Sequence, residues 1–362
     1  MSRDSSETLP PEGTSAAPPE GGAAGGAAVT APSGGRGGGG LSLAAVGHAL
    51  ASGVRNASLL FIWAGLIILF GILEPHTFLS MNTARTIMGE QAVTAIMALA
   101  LVGPIAARQF DLSISGAFGI AVIVVASLMA KMNVSPAFAI ALTLLAGILI
   151  GVFNSYVVGV LKVNSFIATL GSGSILVAMQ QWISGGEVIT QIPKGFTSLG
   201  RGTLFTIPMP FFYMLVIAGL VWYLLEYRQT GRYLYAAGSN ADAARLAGVR
   251  VGRLTAIGLV ISAGIATIAG IIFLMRIGST SLNAGAPYLL PAFAAVFLGA
   301  TQFKEGNVNV PGTLVAVYVL ATGVKGVQLL GAQFWMDEVI NGAVLIIAVA
   351  LAVRSGRQSS AL

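Results

Sequence analysis

The sequence predicts an all-α fold, a polytopic transmembrane helical bundle of about ten spans with both termini in the cytoplasm. Of its 362 residues, 56% are hydrophobic and only 9% are charged, and the mean hydropathy is +0.86. A soluble domain carries about 25% charged residues, so a water-facing globule of this size could not cover its surface. In addition, long windows without charged residues follow one another along the chain, as expected for membrane spans.

The first 56 residues precede these windows and have a different composition. Residues 1–40 contain eleven Gly and five Pro. Such a segment buries too little apolar surface to offset the entropy lost on ordering. We therefore expect residues 1–56 to form a disordered Gly/Pro/Ala-rich cytoplasmic N-terminus.

From residue 57 onward the windows reach the length of membrane spans. A helix needs about 20 apolar residues to cross the hydrocarbon core. The ten charge-free windows are 57–73, 91–107, 112–130, 132–161, 163–186, 202–225, 254–275, 277–303, 306–324 and 339–353. They define a transmembrane domain over residues 57–354, followed by a short cytoplasmic tail over residues 355–362.

Two of these windows are unusual, one because it is interrupted and one because it is short. The window 277–303 is interrupted by Gly278, Asn283, Gly285, Pro287 and Pro291. Gly and Pro punctuate regular structure, so we predict a polar excursion followed by a short helix. The window 339–353 is short, but it can extend backward through Trp335 and Met336.

The basic residues indicate the orientation. With the N-terminus in the cytoplasm, thirteen of the nineteen Lys and Arg residues fall on the cytoplasmic side, as the positive-inside rule requires. This bias also accounts for the net charge of +6 without a nucleic-acid partner. We expect a multi-pass protein of the cell inner (plasma) membrane, surrounded by lipids.

The longest polar stretch between windows on the cytoplasmic side is residues 226–253, which contain five Arg. Within it, Ser239 and Asp242 have the spacing of a capping box. We predict a helix over 241–247 that Gly248 ends in a left-handed conformation. Isolated helices this short are marginal in water. The helix therefore needs a surface to dock on, either the protein's own cytoplasmic face or a partner.

The same loop carries a resemblance to a known family. The run GRYLYAAGSNADAARLAGVRVGRL (231–254) is followed by GLVISAGIATIAGII (258–272). Further matching stretches are FDLSISG (110–116), NSFIATLGSGSIL (164–176), AGAPYLLPAFAAVFLGAT (284–301) and PGTLVAVYVLATGVKGVQLLG (311–331). Over residues 57–353 the chain resembles the ribose/xylose-type monosaccharide ABC importer permeases, part of the branched-chain amino acid/sugar permease superfamily.

This resemblance implies a pathway for a pentose, a hexose or a related polyol. It also implies three partners: a cytoplasmic sugar-type ABC ATPase that holds ATP and Mg, a periplasmic or lipid-anchored sugar-binding protein, and a second permease, identical or homologous. In such permeases the short cytoplasmic helix, here about 239–248, sits in a groove of the ATPase. The candidate residues of this ATPase-coupling loop are Gly231, Arg232, Gly238, Ser239, Asn240, Asp242, Ala244, Arg245 and Gly248.

Several other functions are disfavoured by what the sequence lacks. The chain has no Cys and two His, which argues against a thiolate or zinc site. It has no GxxxxGK[ST] phosphate loop and no HExxH or GxSxG motif. We therefore expect no catalytic residue, metal or cofactor in this chain, and an active transporter must use either a separate ATPase or an ion gradient.

An ion-coupled secondary carrier is the main alternative, because carriers place ionisable residues within their spans. Glu90, Asp111 and Lys325 are the candidates. Arg108 lies three residues from Asp111 and could pair with it, Glu90 lies near the outer end of a span, and Lys325 can snorkel. A branched-chain amino-acid ABC permease is a further alternative, and a passive channel or scaffold is another.

Polar and aromatic residues within the windows are candidates for the substrate path. Sugar recognition needs hydrogen-bonding groups beside apolar or aromatic faces. The candidates are Asp111, Asn154, Ser165, Phe166, Thr169, Gln180 and Asn283. Interhelical hydrogen bonding explains each of them equally well, and Asp111 also suits the N-cap of a helix that starts at Leu112, with Ser113 and Ser115 assisting.

Overall fold

The computed structural model describes residues 58–303, 306–333 and 335–359. In chain order its elements are α1 (Ser58–Leu73), α2 (Pro75–Phe78), α3 (Met81–Ala106), α4 (Ile114–Ala130), α5 (Pro136–Gly159), α6 (Ser165–Ser184), α7 (Lys194–Arg201), β1 (Thr203–Leu204), β2 (Ile207–Pro208), α8 (Met209–Glu226), α9 (Gln229–Ser239), α10 (Ala241–Leu246), α11 (Val251–Ile277), α12 (Ala286–Gly299), α13 (Val310–Leu329) and α14 (Met336–Ser359). The predicted disordered segment 1–56 lies outside the described residues. The predicted tail lies partly outside them, and its first residues continue α14.

Each predicted window overlaps one of the longer helices, namely α1, α3, α4, α5, α6, α8, α11, α12, α13 and α14. Six of these, α3, α5, α6, α8, α11 and α13, are long and apolar enough to cross a membrane, and α1, α4 and α12 are apolar but shorter. The described part of the chain is therefore a helical bundle with several candidate spans. The count of about ten spans and the cytoplasmic position of both termini remain predictions.

The interrupted window 277–303 folds as the sequence predicts. Helix α11 ends at Gly278, which adopts a left-handed φ of +79°. An irregular segment then leads to α12, a helix of 14 residues that has a proline in its first turn and Pro291 inside. The polar excursion and the short helix are both confirmed.

The window 202–225 begins differently from the prediction. Its first residues form a two-stranded antiparallel hairpin, with Thr203 opposite Pro208, and α8 begins only at Met209. Phe205 and Thr206 take left-handed φ values of 48° and 70° in the turn. Pro208 disfavours helix at the residue before it, which explains why the helix does not start at Gly202.

Helix α11 lies at the centre of the bundle. Of its most apolar stretch 72% is buried inside the protein, compared with 22% for α5. An added Cβ at Gly147 of α5 would meet the Thr267 side chain of α11, and one at Gly151 would meet the Val260 backbone. Small residues on α5 therefore bring the two helices into close contact, as the GxxxG spacing predicts.

Basic side chains lie at both ends of the bundle. At the end that holds α7, Arg276 Nη2 pairs with Glu90 Oε1 at 3.0 Å, and Lys131 Nζ donates to the Ser184 carbonyl at 2.9 Å. We call this the α7 end. At the opposite end, which holds α9 and α10, other basic side chains share a cleft described below.

Candidate functional site

Two helices, α9 and α10, form the polar loop that the sequence singled out. They meet at Asn240, whose Oδ1 accepts from the amides of Asp242 at 3.1 Å and Ala243 at 3.0 Å. Asn240 is therefore the N-cap of α10, and Asn is among the preferred residues at this position. The loop thus holds two helices rather than the single short helix that the sequence predicted.

The predicted capping box between Ser239 and Asp242 is not formed, so this prediction is wrong. Ser239 is the last residue of α9, and its hydroxyl donates to the Tyr235 carbonyl at 3.0 Å. The Asp242 carboxylate accepts from Arg245 Nη1 at 2.7 Å instead of reaching back to Ser239. The reason is that α9 continues through Ser239, so the chain turns one residue later than the motif suggests.

The end of α10 follows the prediction. The helix stops at Leu246, and Gly248 adopts a left-handed φ of +83°. The Gly248 amide donates to the Arg245 carbonyl at 2.9 Å, and the Val249 amide donates to the Ala244 carbonyl at 2.9 Å. A residue with a side chain is strained in this conformation, which accounts for the glycine.

Close backbone contacts fix α9 on the bundle. An added Cβ at Gly231 would meet the Leu225 backbone of α8, and one at Gly238 would meet the Ala106 carbonyl at the end of α3. Tyr235 Oη donates to the Val308 carbonyl, 2.8 Å away, just before α13. Burial, reinforced by the charge of Glu226, raises the pKa of Tyr235 to about 12, so the phenol keeps its donated proton at neutral pH.

The other face of the pair is open. Leu246 is 91% exposed, and the neighbouring residues Ala243 and Ala247 are exposed as well. Asp242 and Arg245 of the same helix are exposed, as is Arg232 of α9, whereas Ala244 is buried. We call Leu246 with Ala243 and Ala247 the α10 apolar face.

A basic cleft of about 570 Å³ lies beside α10. Arg108, Lys162 and Arg245 line it, and so do Ser165 and Phe166 from the start of α6. The sequence predicts Arg108 and Lys162 on the cytoplasmic side and offers Arg108 as a partner of Asp111. It does not show that both line one cleft with Arg245.

Several predicted path residues hold the segment between α3 and α4. Ser165 Oγ accepts from the Phe110 amide at 3.2 Å, and Thr169 Oγ1 accepts from the Leu112 amide at 3.0 Å. The ring of Phe166 packs edge-on against Phe110, with centroids 6.4 Å apart. Helix α6 therefore fixes the backbone of this segment through its first two turns.

Asp111 is fully buried and does not cap the helix directly. Its Oδ1 accepts from the amide of Ser113 at 3.1 Å and from its hydroxyl at 2.5 Å. Ser113 is the residue before α4, and Asn154 Nδ2 donates to its hydroxyl oxygen at 2.7 Å. Within the described residues the suggested Arg108–Asp111 pair is not formed, since the Arg108 side chain is exposed.

The buried network is incomplete in its hydrogen bonding. Within the part of the chain that the structure describes, Asp111 Oδ2, Asn154 Oδ1 and Ser262 Oγ are buried without a hydrogen-bond partner. The two remaining path candidates lie elsewhere. Gln180 is buried, with Nε2 donating to the Gly116 carbonyl at 3.4 Å, and Asn283 is exposed in the segment before α12, with φ 58°. The structure thus groups five of the seven candidates and separates these two.

Comparison with known proteins places this architecture in a family. Residues 84–349 match the family described as branched-chain amino acid transport system / permease component. The ribose import permease protein RbsC of Escherichia coli (strain K12) is 31% identical over 291 residues, which cover 78% of this chain and 89% of that protein. No solved structure matches the chain.

Two further relatives agree with this match. RbsC of Bacillus subtilis (strain 168) is 31% identical over 288 residues, covering 79% of this chain and 89% of that protein. The galactose/methyl galactoside import permease protein MglC of Escherichia coli (strain K12) is 30% identical over 310 residues, covering 80% and 92%. With its apolar helices, the chain is thus a multi-pass protein of the inner (plasma) membrane. It belongs to the branched-chain amino acid transport system permease family, together with the ribose/xylose-type sugar importer permeases.

Proposed function

We propose that this chain forms the membrane pathway of a binding-protein-dependent ABC importer for a monosaccharide or a related polyol. A separate cytoplasmic ATPase, which holds ATP and Mg, drives it. The observation that carries the proposal is the α10 apolar face, a capped and anchored surface that leaves Leu246 91% exposed. The relatives named for ribose and galactose import support the substrate class.

The exposed leucine argues for a protein partner. Burying a leucine side chain contributes about 1.5–3 kcal/mol, and the polar residues Asp242 and Arg245 are exposed on the same short helix. An apolar centre with a polar rim is the usual anatomy of a protein interface. The loop therefore rests on its own bundle through α9 and offers α10 to the ATPase.

The anchoring explains how motion of the ATPase reaches the spans. Gly238 packs on the end of α3, and Tyr235 holds the start of α13. Residues of α10 also line the basic cleft with the segment after α3 and the start of α6. A displacement of α10 therefore moves the segment around Asp111, in the manner of a rigid lever.

The remaining partners belong to the same proposal. A sugar-binding protein docks at the opposite, periplasmic face, and a second permease, identical or homologous, completes the pathway. Asp111, Asn154, Ser165, Phe166, Thr169, Gln180 and Asn283 remain candidates for the path. Their shared feature, in all but Phe166 and Asn283, is a buried polar group between helices.

Substitution of the exposed leucine tests the coupling. Leu246→Asp places a charge in the ATPase interface, so we expect at least tenfold weaker co-purification with the cognate ATPase. Leu199→Asp is the matched control, because Leu199 is 49% exposed on α7 at the opposite end. Wild-type assembly in the Leu246→Asp variant would refute the docking proposal.

A second experiment tests the energy source and the substrate class. The importer is reconstituted in vesicles with its ATPase and binding protein, and the uptake of D-ribose, D-galactose and L-leucine is measured. We expect sugar uptake that requires ATP and survives an ionophore. Uptake that persists without ATP but collapses with the ionophore would show a secondary carrier, and uptake of leucine alone would show an amino-acid permease.

A further inference from the structure

A cavity of about 440 Å³ opens at the α7 end of the bundle. It lies between α3, α11, α12, α13 and α14, away from the basic cleft and the α10 apolar face. Charged and amide side chains in its wall are Glu90, Gln91, Arg276, Lys325, Gln328, Asp337, Glu338 and Asn341. We call it the polar chamber. Its volume lies in the range of about 300–1,000 Å³ that is typical of small-molecule sites.

Most of the charges in the polar chamber are already paired. Arg276 Nη2 pairs with Glu90 Oε1 at 3.0 Å, and Gln328 Nε2 donates to Asp337 Oδ2 at 2.6 Å. Among the described residues, the half-buried Lys325 makes no ion pair or hydrogen bond. The chamber therefore offers an ammonium group whose donors are unused.

Part of the chamber wall is apolar. Val317 and Ala321 of α13 and Pro291 of α12 line it, beside the ring of Tyr288. Tyr288 is held in place by the rings of Phe118 and Phe273, whose centroids lie 5.2 and 6.0 Å from its own. A fixed ring next to hydrogen-bonding side chains suits a solute that has a polar rim and an apolar face.

We propose that the polar chamber binds the neutral polyhydroxylated solute that this importer carries, with Lys325 and Asn341 bonding its hydroxyl groups. This inference rests on the proposed function and names a site for its substrate. The chamber lies at the predicted periplasmic end, where a binding protein would release its ligand. It explains why ionisable residues lie in the spans without an ion-coupled mechanism.

The pairing of the acids favours a neutral solute over a free amino acid. An amino acid could place its carboxylate at Lys325, but it would also need an unpaired acid for its ammonium group. Glu90 is paired with Arg276, Asp337 accepts a hydrogen bond from Gln328, and Glu338 is exposed. Formally the wall holds two cations and three carboxylates, a balance that also disfavours an anionic solute.

The absence of cysteine from the chain allows a direct test of occupancy. Gln91→Cys introduces a single thiol in the chamber wall, and Gln191→Cys introduces one in an exposed loop at the same end. Each variant, in nanodiscs, is labelled with a methanethiosulfonate reagent in the presence of D-ribose, D-galactose or L-leucine. We expect a sugar to slow labelling at position 91 at least threefold and to leave position 191 unchanged.

Two further substitutions test whether the protection from labelling depends on Lys325. Adding Lys325→Ala to Gln91→Cys should abolish the protection, while adding Lys194→Ala, an exposed lysine at the same end, should preserve it. Protection by leucine instead of sugar, equal protection at positions 91 and 191, or no protection would each overturn the inference. ATP-driven sugar uptake without protection would refute the chamber alone, and absence of sugar uptake would refute the proposed function.

Discussion

The two ends of the bundle expose opposite kinds of surface. The α9–α10 end displays an apolar residue, Leu246, on a polar loop, whereas the α7 end places charged residues such as Lys325 around a cavity between apolar helices. A contiguous apolar patch in water favours contact with another protein, and a polar group within a bundle favours a small polar ligand. Under the proposed function, energy coupling belongs to one end and substrate contact to the other.

The largest effect is expected from Gly238→Ala, which tests whether transport depends on the contact between α9 and α3. In Gly238→Ala the new Cβ would meet the Ala106 carbonyl, and such overpacking costs about 1–3 kcal/mol. We expect at least tenfold slower transport with retained sugar protection of Gln91→Cys. Gly252→Ala is the control, because an added Cβ there meets nothing within 4 Å. Equal transport in both variants would show that this contact does not matter.

Substitutions at Asn240 and Ser239 distinguish the observed N-cap of α10 from the predicted capping box. Asn240→Ala removes the acceptor of the Asp242 and Ala243 amides, a loss of about 1 kcal/mol. Amide hydrogen exchange at these two positions should accelerate about fivefold, with weaker binding of the ATPase. Ser239→Ala should change neither, because its hydroxyl only donates back to Tyr235. Faster exchange in Ser239→Ala with no change in Asn240→Ala would instead support the predicted capping box.

Asn240 and Ser239 also show what the sequence can and cannot predict. The apolar windows, the short helix after Gly285 and the glycine that ends α10 all depend on near neighbours, and each was predicted. The N-cap of α10 lies one residue later than predicted, because contacts of α9 with α3 and α8 keep α9 helical through Ser239. The polar chamber was missed because its members are far apart, with Glu90 and Arg276 separated by 186 positions.

A smaller effect is expected at the α7 end. Glu90→Gln leaves Arg276, which is only 24% exposed, without its ionic partner. A partly exposed pair of this kind contributes up to about 1 kcal/mol, so the sugar concentration that half-protects Gln91→Cys should change by no more than about fivefold. Co-purification with the ATPase should stay at the wild-type level. A loss of ATPase binding would contradict the separation of the two ends.

The smallest effect is expected from Asp242→Ala. The side chains of Arg245 and Asp242 are 62% and 87% exposed, and an i,i+3 ion pair on a helix surface contributes about 0.2–0.5 kcal/mol. If the carboxylate serves only its own helix, exchange of the α10 amides and ATPase binding should both change by no more than about twofold. A large loss of binding with unchanged exchange would show instead that Asp242 contacts the ATPase directly. Asp242→Asn, which keeps the shape and removes the charge, then reports whether that contact is ionic. The polar rim of the α10 apolar face would in that case share in binding, and Leu246 would not carry it alone.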